Sequence, residues 1–299
     1  MKKTLLLFLS LTLIAGFTMA DDDEDDDYYY NDDDEGIGFS VGLDFGIDNV
    51  NKPDNRDVYL MPYVIYEKPF LDGALYLYTE LDYTIGLIKD EGKIPHELSI
   101  NLSLSYNLNL GESSSMSFIL ESGNEMVFYP DEGYKFGNRI SCSLKPGILF
   151  NQNIERIGDL YAQVDAPFKY VQGMGGEGVP FGLDFTAGWK STFGLGLKAK
   201  VHTLLAPKDV KEGYTGLDII TSYKNGPISA GVEVRLAKEG DNKSSFFDGS
   251  NIKKGIALIP SFEYAFDFGL SLYANCAFGA IGSSGDTTIS PSIGVMYSF

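Results

Sequence analysis

Ten charged residues stand out because each sits among small polar neighbours at every second position. Asp44, Glu80, Asp82, Glu121 and Glu125 fall in the first half of the chain, and Lys145, Lys169, Lys198, Lys200 and Arg235 in the middle and second half. Lys198 and Lys200 follow Gly196 in step, just as Asp44 follows Gly38, Ser40 and Gly42. Side chains two apart share one face of a strand, so each residue belongs to the polar face of its segment. If such a sheet closes on itself, that face encloses water, and rings of charge there set the ion preference of a pore. His202, Asp165, Asp184, Asp218, Glu233 and Glu263 share the same phase. Two arrangements are open. The charges pair locally, for example Glu233 with a lysine of 195–201, and make a wet interior; or an acidic wall faces a basic patch and imposes a transverse field.

Other chemistry finds little support. His96 and His202 are the two histidines, and acid–base or nucleophilic work needs a His held by a Ser or Asp partner. Ser99 and Asp82 are nearby in sequence, yet no spacing selects them. The glycine-rich run Gln172 to Gly182 has no Lys-Ser/Thr and opens no helix, which excludes a phosphate loop. Cys142 and Cys276 fall on the apolar phase of segments placed far apart, so no disulfide is expected. Neither has metal-ligand spacing. No catalytic residue, metal or cofactor is expected.

The positioning elements are strands. Ile37, Phe39, Val41, Leu43 and Phe45 alternate with small polar residues, as do Leu98 to Leu108, Leu195 to Val201 and Ile228 to Leu236. About fourteen such segments follow Glu35, many reaching the ~9–11 residues that a tilted strand needs to cross a bilayer. Their connectors alternate between short links, such as Asn225-Gly226-Pro227, and longer polar loops, such as Val171 to Phe181, Ala206 to Tyr214 and Lys238 to Asn251. A weak repeat places Pro62, Pro146, Pro260 and Pro291 in matching settings. It assigns Leu60, Val64 and Tyr66 to the apolar face of a segment that is otherwise apolar on both. Proline removes a ladder donor, so bulges are expected at all four. Tyr66, Tyr106, Phe150, Trp189, Phe193, Tyr223, Tyr264, Tyr297 and Phe299 gather at one end of the apolar faces, and Phe45, Tyr83, Phe168 and Phe278 at the other. Amphipathic rings favour headgroup boundaries.

Residues 1–20 read as a secretory signal peptide: Lys2 and Lys3, an apolar run from Leu5 to Phe17, then small residues ending at Ala20. Residues 21–35 hold eleven acidic side chains and should stay disordered by self-repulsion. This segment reads as a periplasmic spacer, an anion-repelling element at the mouth, or a weak Ca²⁺ binder. With a net charge of −19, nucleic acid is not a partner. No mature stretch is long and apolar enough for a membrane helix, so a spanning domain over 36–299 must be a barrel.

The final stretch carries the most specific signal. Ile289, Pro291, Ile293, Val295, Tyr297 and Phe299 alternate with Ser290, Ser292, Gly294 and Ser298, and only Met296 breaks the pattern. In these residues the chain resembles the bacterial outer-membrane β-barrels, whose last strand typically ends in Phe. The resemblance implies an all-β, transmembrane, antiparallel up-and-down barrel of about fourteen strands, similar in size to the monomeric fourteen-stranded porins. It implies that the strand ending at Phe299 pairs with the first strand and is read by the barrel-assembly machinery. The expected setting is outer-membrane lipid, with a monomer favoured over a trimer because no long infolding loop is found. The expected function is passive passage of small hydrophilic solutes or ions, with a preference for cations. The alternative is a surface adhesin or structural barrel acting through its outer loops.

Overall fold

A computed structural model describes residues 37–51, 57–87, 96–128, 139–171, 181–205, 214–238, 255–281 and 287–299. The segment expected to be a signal peptide, the acidic segment and most of the longer connectors lie outside the described residues. Fifteen strands form one antiparallel sheet: β1 (Gly38–Asp48), β2 (Asp57–Phe70), β3 (Leu75–Gly86), β4 (His96–Gly111), β5 (Ser114–Phe128), β6 (Arg139–Ile154), β7 (Gly158–Asp165), β8 (Phe168–Val171), β9 (Phe181–Ser191), β10 (Leu195–Leu205), β11 (Tyr214–Asn225), β12 (Ile228–Lys238), β13 (Gly255–Ala265), β14 (Leu270–Ile281) and β15 (Thr288–Ser298). β7 and β8 both lie between β6 and β9, as two pieces of one stave. The sheet closes on itself into a barrel of fourteen staves, because every strand finds a partner on both sides.

Alternation decides which way each side chain points. Leu43, Phe45, Ile100, Leu102, Leu104, Leu120, Ile148, Val164, Phe185, Leu197 and Ile293 remain exposed on the outer face. For a protein in water this would be a large unprotected apolar surface; as a belt around a barrel it suits acyl chains. The described turns are tight and lie at one end. They use left-handed backbone where reversal requires it, as at Gly194 and Gly269, whose φ values are 88° and 84°. The rings at that end touch: Trp189 meets Phe193 at 6.3 Å, Tyr264 meets Phe266 at 4.8 Å and Tyr297 meets Phe299 at 4.8 Å. The indole N–H of Trp189 donates to the Ile157 carbonyl at 3.0 Å.

β1 and β15 pair from Ser40↔Ser298 to Gly46↔Ser292, as the closing-strand expectation required. Beyond them, Phe299 N–H donates to the Phe39 carbonyl at 3.0 Å and Val50 N–H to the Ile289 carbonyl at 2.8 Å. On the inner face, Tyr63 of β2 reaches over β1 and Tyr273 of β14 reaches over β15. Their hydroxyls meet at 2.7 Å, and the Tyr273 hydroxyl also donates to Asp44. The rings cross at Gly42 and Gly294, where a Cβ would overlap them. Met296, the break in the alternating pattern, is 1% exposed and packs with Tyr63, Ile65, Tyr78 and Tyr273. It faces inward because its register demands it, and it fills an apolar patch in a mostly polar wall.

The expected proline bulges are a correction. Leu43↔Pro62, Leu120↔Pro146, Val232↔Pro260 and Cys276↔Pro291 stay aligned, and the register runs past each without a shift. In an antiparallel ladder a residue bonds to one neighbour only, so a proline forfeits one donor on one side and need not insert a residue. Among the described residues, one irregularity, between Asn109 and Gly111, lies far from all four prolines; the other, between Ile256 and Leu258, ends two residues before Pro260 and leaves the register at Pro260 itself unshifted. Pro146 shows where the lost donor falls: it lies beside the gap at Ala166-Pro167 that separates β7 from β8, and Ala166 N–H still donates to its carbonyl at 2.9 Å. Cys142 and Cys276, on β6 and β14, are free.

Gly294→Val places two methyl groups where the Tyr273 ring lies. Overpacking of this kind costs roughly 1–3 kcal/mol. The folded, unboiled band on a detergent gel should therefore convert to the unfolded band at a lower temperature, whereas Gly111→Val, at an open position, should leave that temperature nearly unchanged.

Candidate functional site

The inner face divides into two unlike halves. From β14 through β15 and β1 to β5, no inward position carries Lys or Arg, as the register shows. In the same half stand Asp44, Asp48, Glu80, Asp82, Glu97, Glu121 and Glu125. Neutral donors serve most of them: Asn101 donates to Glu80 at 3.3 Å, Ser99 to Glu97 at 3.4 Å, and Ser141 to Glu125 at 3.1 Å. Asp82 lies within the field of Glu80, Asp44 and Glu97, and its Oδ1 is buried without a hydrogen-bond partner among the described residues. Five of the sequence-predicted residues thus stand here: Asp44, Glu80 and Asp82 gather around β1 to β3, while Glu121 and Glu125 lie at the border with β6.

The other half carries a belt of alternating charge. Lys145 of β6 donates to Glu121 of β5 at 2.5 Å. Asp165 of β7 is aligned with Asp184 of β9, and the two are 1% and 2% exposed. Lys200 reaches Asp184 at 3.6 Å, and His202 bridges Asp184 at 3.3 Å and Asp218 of β11 at 2.6 Å. Gln163 donates to Asp165 at 2.8 Å. Arg235 binds Glu233 of its own strand β12. Among the described residues Lys198 forms no ion pair. Lys169 lies on β8 opposite Ser143.

Of the two arrangements left open by the sequence, local pairing accounts for Lys145, Lys200 and Arg235. The partner foreseen for Glu233, a lysine of 195–201, stands on β10, which β11 separates from β12; the arginine two residues along is the partner instead. The fourteen-stave order sets β1 to β3 across from β9 to β11, so a net acidic wall faces a belt whose cations are mostly neutralised. Adjacent polar-phase charges made the pairing legible; the partners needed the register.

Sequence reasoning missed the inward tyrosines. Tyr59 lies over Gly46 and Tyr63 over Gly42, both from β2 onto β1, and Tyr161 lies over Gly188 in the other half. The available signal was glycine at alternate inward positions of β1 beside tyrosine at alternate positions of β2. His96 takes the outer face, where its Nδ1 and the Tyr83 hydroxyl are 2.8 Å apart. Ser99 and Asp82 face inward, so no catalytic grouping forms around it.

No protein-family model matches the chain, and no curated protein matches it. Solved structures do. The toluene transporter TodX from Pseudomonas putida is 10% identical, with a TM-score of 0.52 over 89% of this chain and 90% of that one. The toluene transporter TbuX from Ralstonia pickettii is likewise 10% identical, with a TM-score of 0.52 over 89% of each chain. The fold is that of an outer-membrane β-barrel. A third similar structure, CdiB from Acinetobacter baumannii, is 11% identical with a TM-score of 0.51 over 88% of this chain, and the chain spans 60% of its length. At such identities the likeness carries the architecture alone.

Lys145→Met leaves Glu121 without its cation. Breaking a fully buried ion pair costs roughly 3–5 kcal/mol, and this pair is partly open to water, so about 2–3 kcal/mol is expected. Adding Glu121→Met should recover most of it, read as the urea midpoint of the barrel folded into vesicles.

Proposed function

We propose that the chain is an outer-membrane channel that passes small hydrophilic solutes or ions and prefers cations. The observation that carries this reading is the inner half-wall from β14 to β5, which presents carboxylates and no inward Lys or Arg. A charge left uncompensated inside a low-dielectric wall attracts counter-ions far more strongly than it would in water. Asp44, Glu80, Asp82 and Glu125 supply that field, with Glu121 held to Lys145. Across the barrel, Lys200 and Arg235 are held by Asp184 and Glu233, so they oppose it little, and Lys145 and Glu121 cancel each other. Lys198 is the cationic pore-lining residue that tempers it, and Lys169 holds a register position on the same phase of β8. The apolar outer band supports immersion in lipid. The aromatic rings at the tight-turn end support anchoring at a headgroup boundary, with those turns on the periplasmic side and the longer connectors outside.

A hydrophobic substrate such as those named for TodX and TbuX would favour an apolar passage. Here the inner face of β4 carries Ser99, Asn101, Ser103 and Ser105, and the belt carries charge on strand after strand. The interior chemistry therefore favours hydrated solutes over hydrocarbons.

Planar-bilayer recording tests the reading. Stepwise ohmic current in KCl is expected, with a reversal potential on the cation-selective side under a salt gradient. Glu80→Gln with Asp82→Asn should move that potential toward zero, and Lys198→Glu should move it further to the cation side. Pure, folded barrel that conducts no ions would overturn the channel and turn attention to the outer loops.

A further inference from the structure

β1 and β2 build an unusual inner surface. The inward positions of β1 alternate between glycine and carboxylate: Gly42, Asp44, Gly46, Asp48. Each of the two glycines lies under a tyrosine ring from β2, Tyr63 at Gly42 and Tyr59 at Gly46. The missing Cβ lets each ring lie along the wall instead of standing into the interior. The result is a ladder of ring, carboxylate, ring, carboxylate that runs along β1 toward its outer end at Asp48. Tyr63 is buried at 6% beneath the apolar patch, whereas Tyr59 is half-buried, with Asp44 and Asp48 acting on it from either side. Glu80 and Asp82 of β3 flank the ladder, Asp82 aligned with Tyr63. No inward Lys or Arg stands on β14, β15 or β1 to β5 to occupy these groups.

A bare metal ion needs converging oxygens, and no group of three ligating side chains forms among the described residues. A hydrated alkali ion would use the carboxylates but not the ring. A flat aromatic face beside two carboxylates suits a cation with an apolar body. The ring contributes dispersion and cation–π attraction while the carboxylates take the charge.

We infer that the β1–β2 ladder selects organic ammonium or guanidinium compounds with an apolar or aromatic body over inorganic cations and over anions of the same shape. This rests on the channel reading and names its solute class. Tyr59 is the specificity-determining residue; Asp44, Asp48, Glu80 and Asp82 supply the charge.

The experiment is bilayer recording in KCl with three added solutes: phenethylammonium, ethylammonium and phenylacetate. KCl conductance alone reports the channel. Phenethylammonium should interrupt that current at concentrations roughly threefold to tenfold lower than ethylammonium, the gain from one aromatic contact, and phenylacetate should not interrupt it. Tyr59→Leu should remove most of the phenethylammonium advantage and leave KCl conductance and reversal potential unchanged. Asp48→Asn with Glu80→Gln should weaken both ammonium solutes alike. Equal potency of phenethylammonium and ethylammonium, or an advantage that survives Tyr59→Leu, overturns the inference while the channel stands. Absence of KCl current overturns the channel and the inference together.

Discussion

The structure depends on the pairing of its first and last strands. In a bilayer no water is available to satisfy an open sheet edge, and each orphaned N–H or C=O costs several kcal/mol. A linear sheet of fourteen staves would expose two such edges. The β1–β15 ladder removes both, and the two tyrosines that meet over Gly42 and Gly294 hold the joint from within. Everything else follows from closure: one face toward lipid, one toward an enclosed interior, and a fixed circumference on which charged residues take their places.

Closure explains how residues far apart in the chain become one surface. Asp44 and Tyr273 are 229 positions apart and hydrogen-bonded. The half-wall without inward Lys or Arg spans both ends of the sequence, because β14 and β15 stand beside β1, and β1 to β5 supply its carboxylates. The belt of paired charge is built from the middle of the chain, where successive hairpins place Lys145, Asp165, Asp184, Lys200 and Asp218 on neighbouring strands. The interior is therefore segregated by stretches of sequence, with its first five strands acidic, its last two uncharged and its centre mixed.

Much of this was legible before any coordinates. Alternation in Leu98 to Leu108 or Ile228 to Leu236 fixes the face of every residue, because a one-residue slip would invert the strand. Pro62 assigned the ambiguous β2 correctly: Tyr63 and Ile65 point inward. What alternation cannot supply is the relation between neighbours. The expected proline bulges failed because the demand for a donor is one-sided, a property of the ladder and not of the residue. The tyrosine–glycine crossings escaped for a similar reason, since they depend on register, whereas the Arg235–Glu233 pair lies within one strand and depends on rotamer. Met296 looked like a defect in the pattern and became the most buried side chain at the seam.

The interrupted stave has a mechanical meaning. At the break between β7 and β8, Ala166 N–H donates to the Pro146 carbonyl at 2.9 Å and Gly182 N–H to the Pro167 carbonyl at 2.8 Å, while the rings of Phe168 and Phe181 stack at 6.1 Å. The wall is therefore riveted to both neighbours at the place where the stave changes from one piece to the next. Lateral pressure from the surroundings meets a fastened corner there, and the two pieces must move with β6 and β9 as one panel.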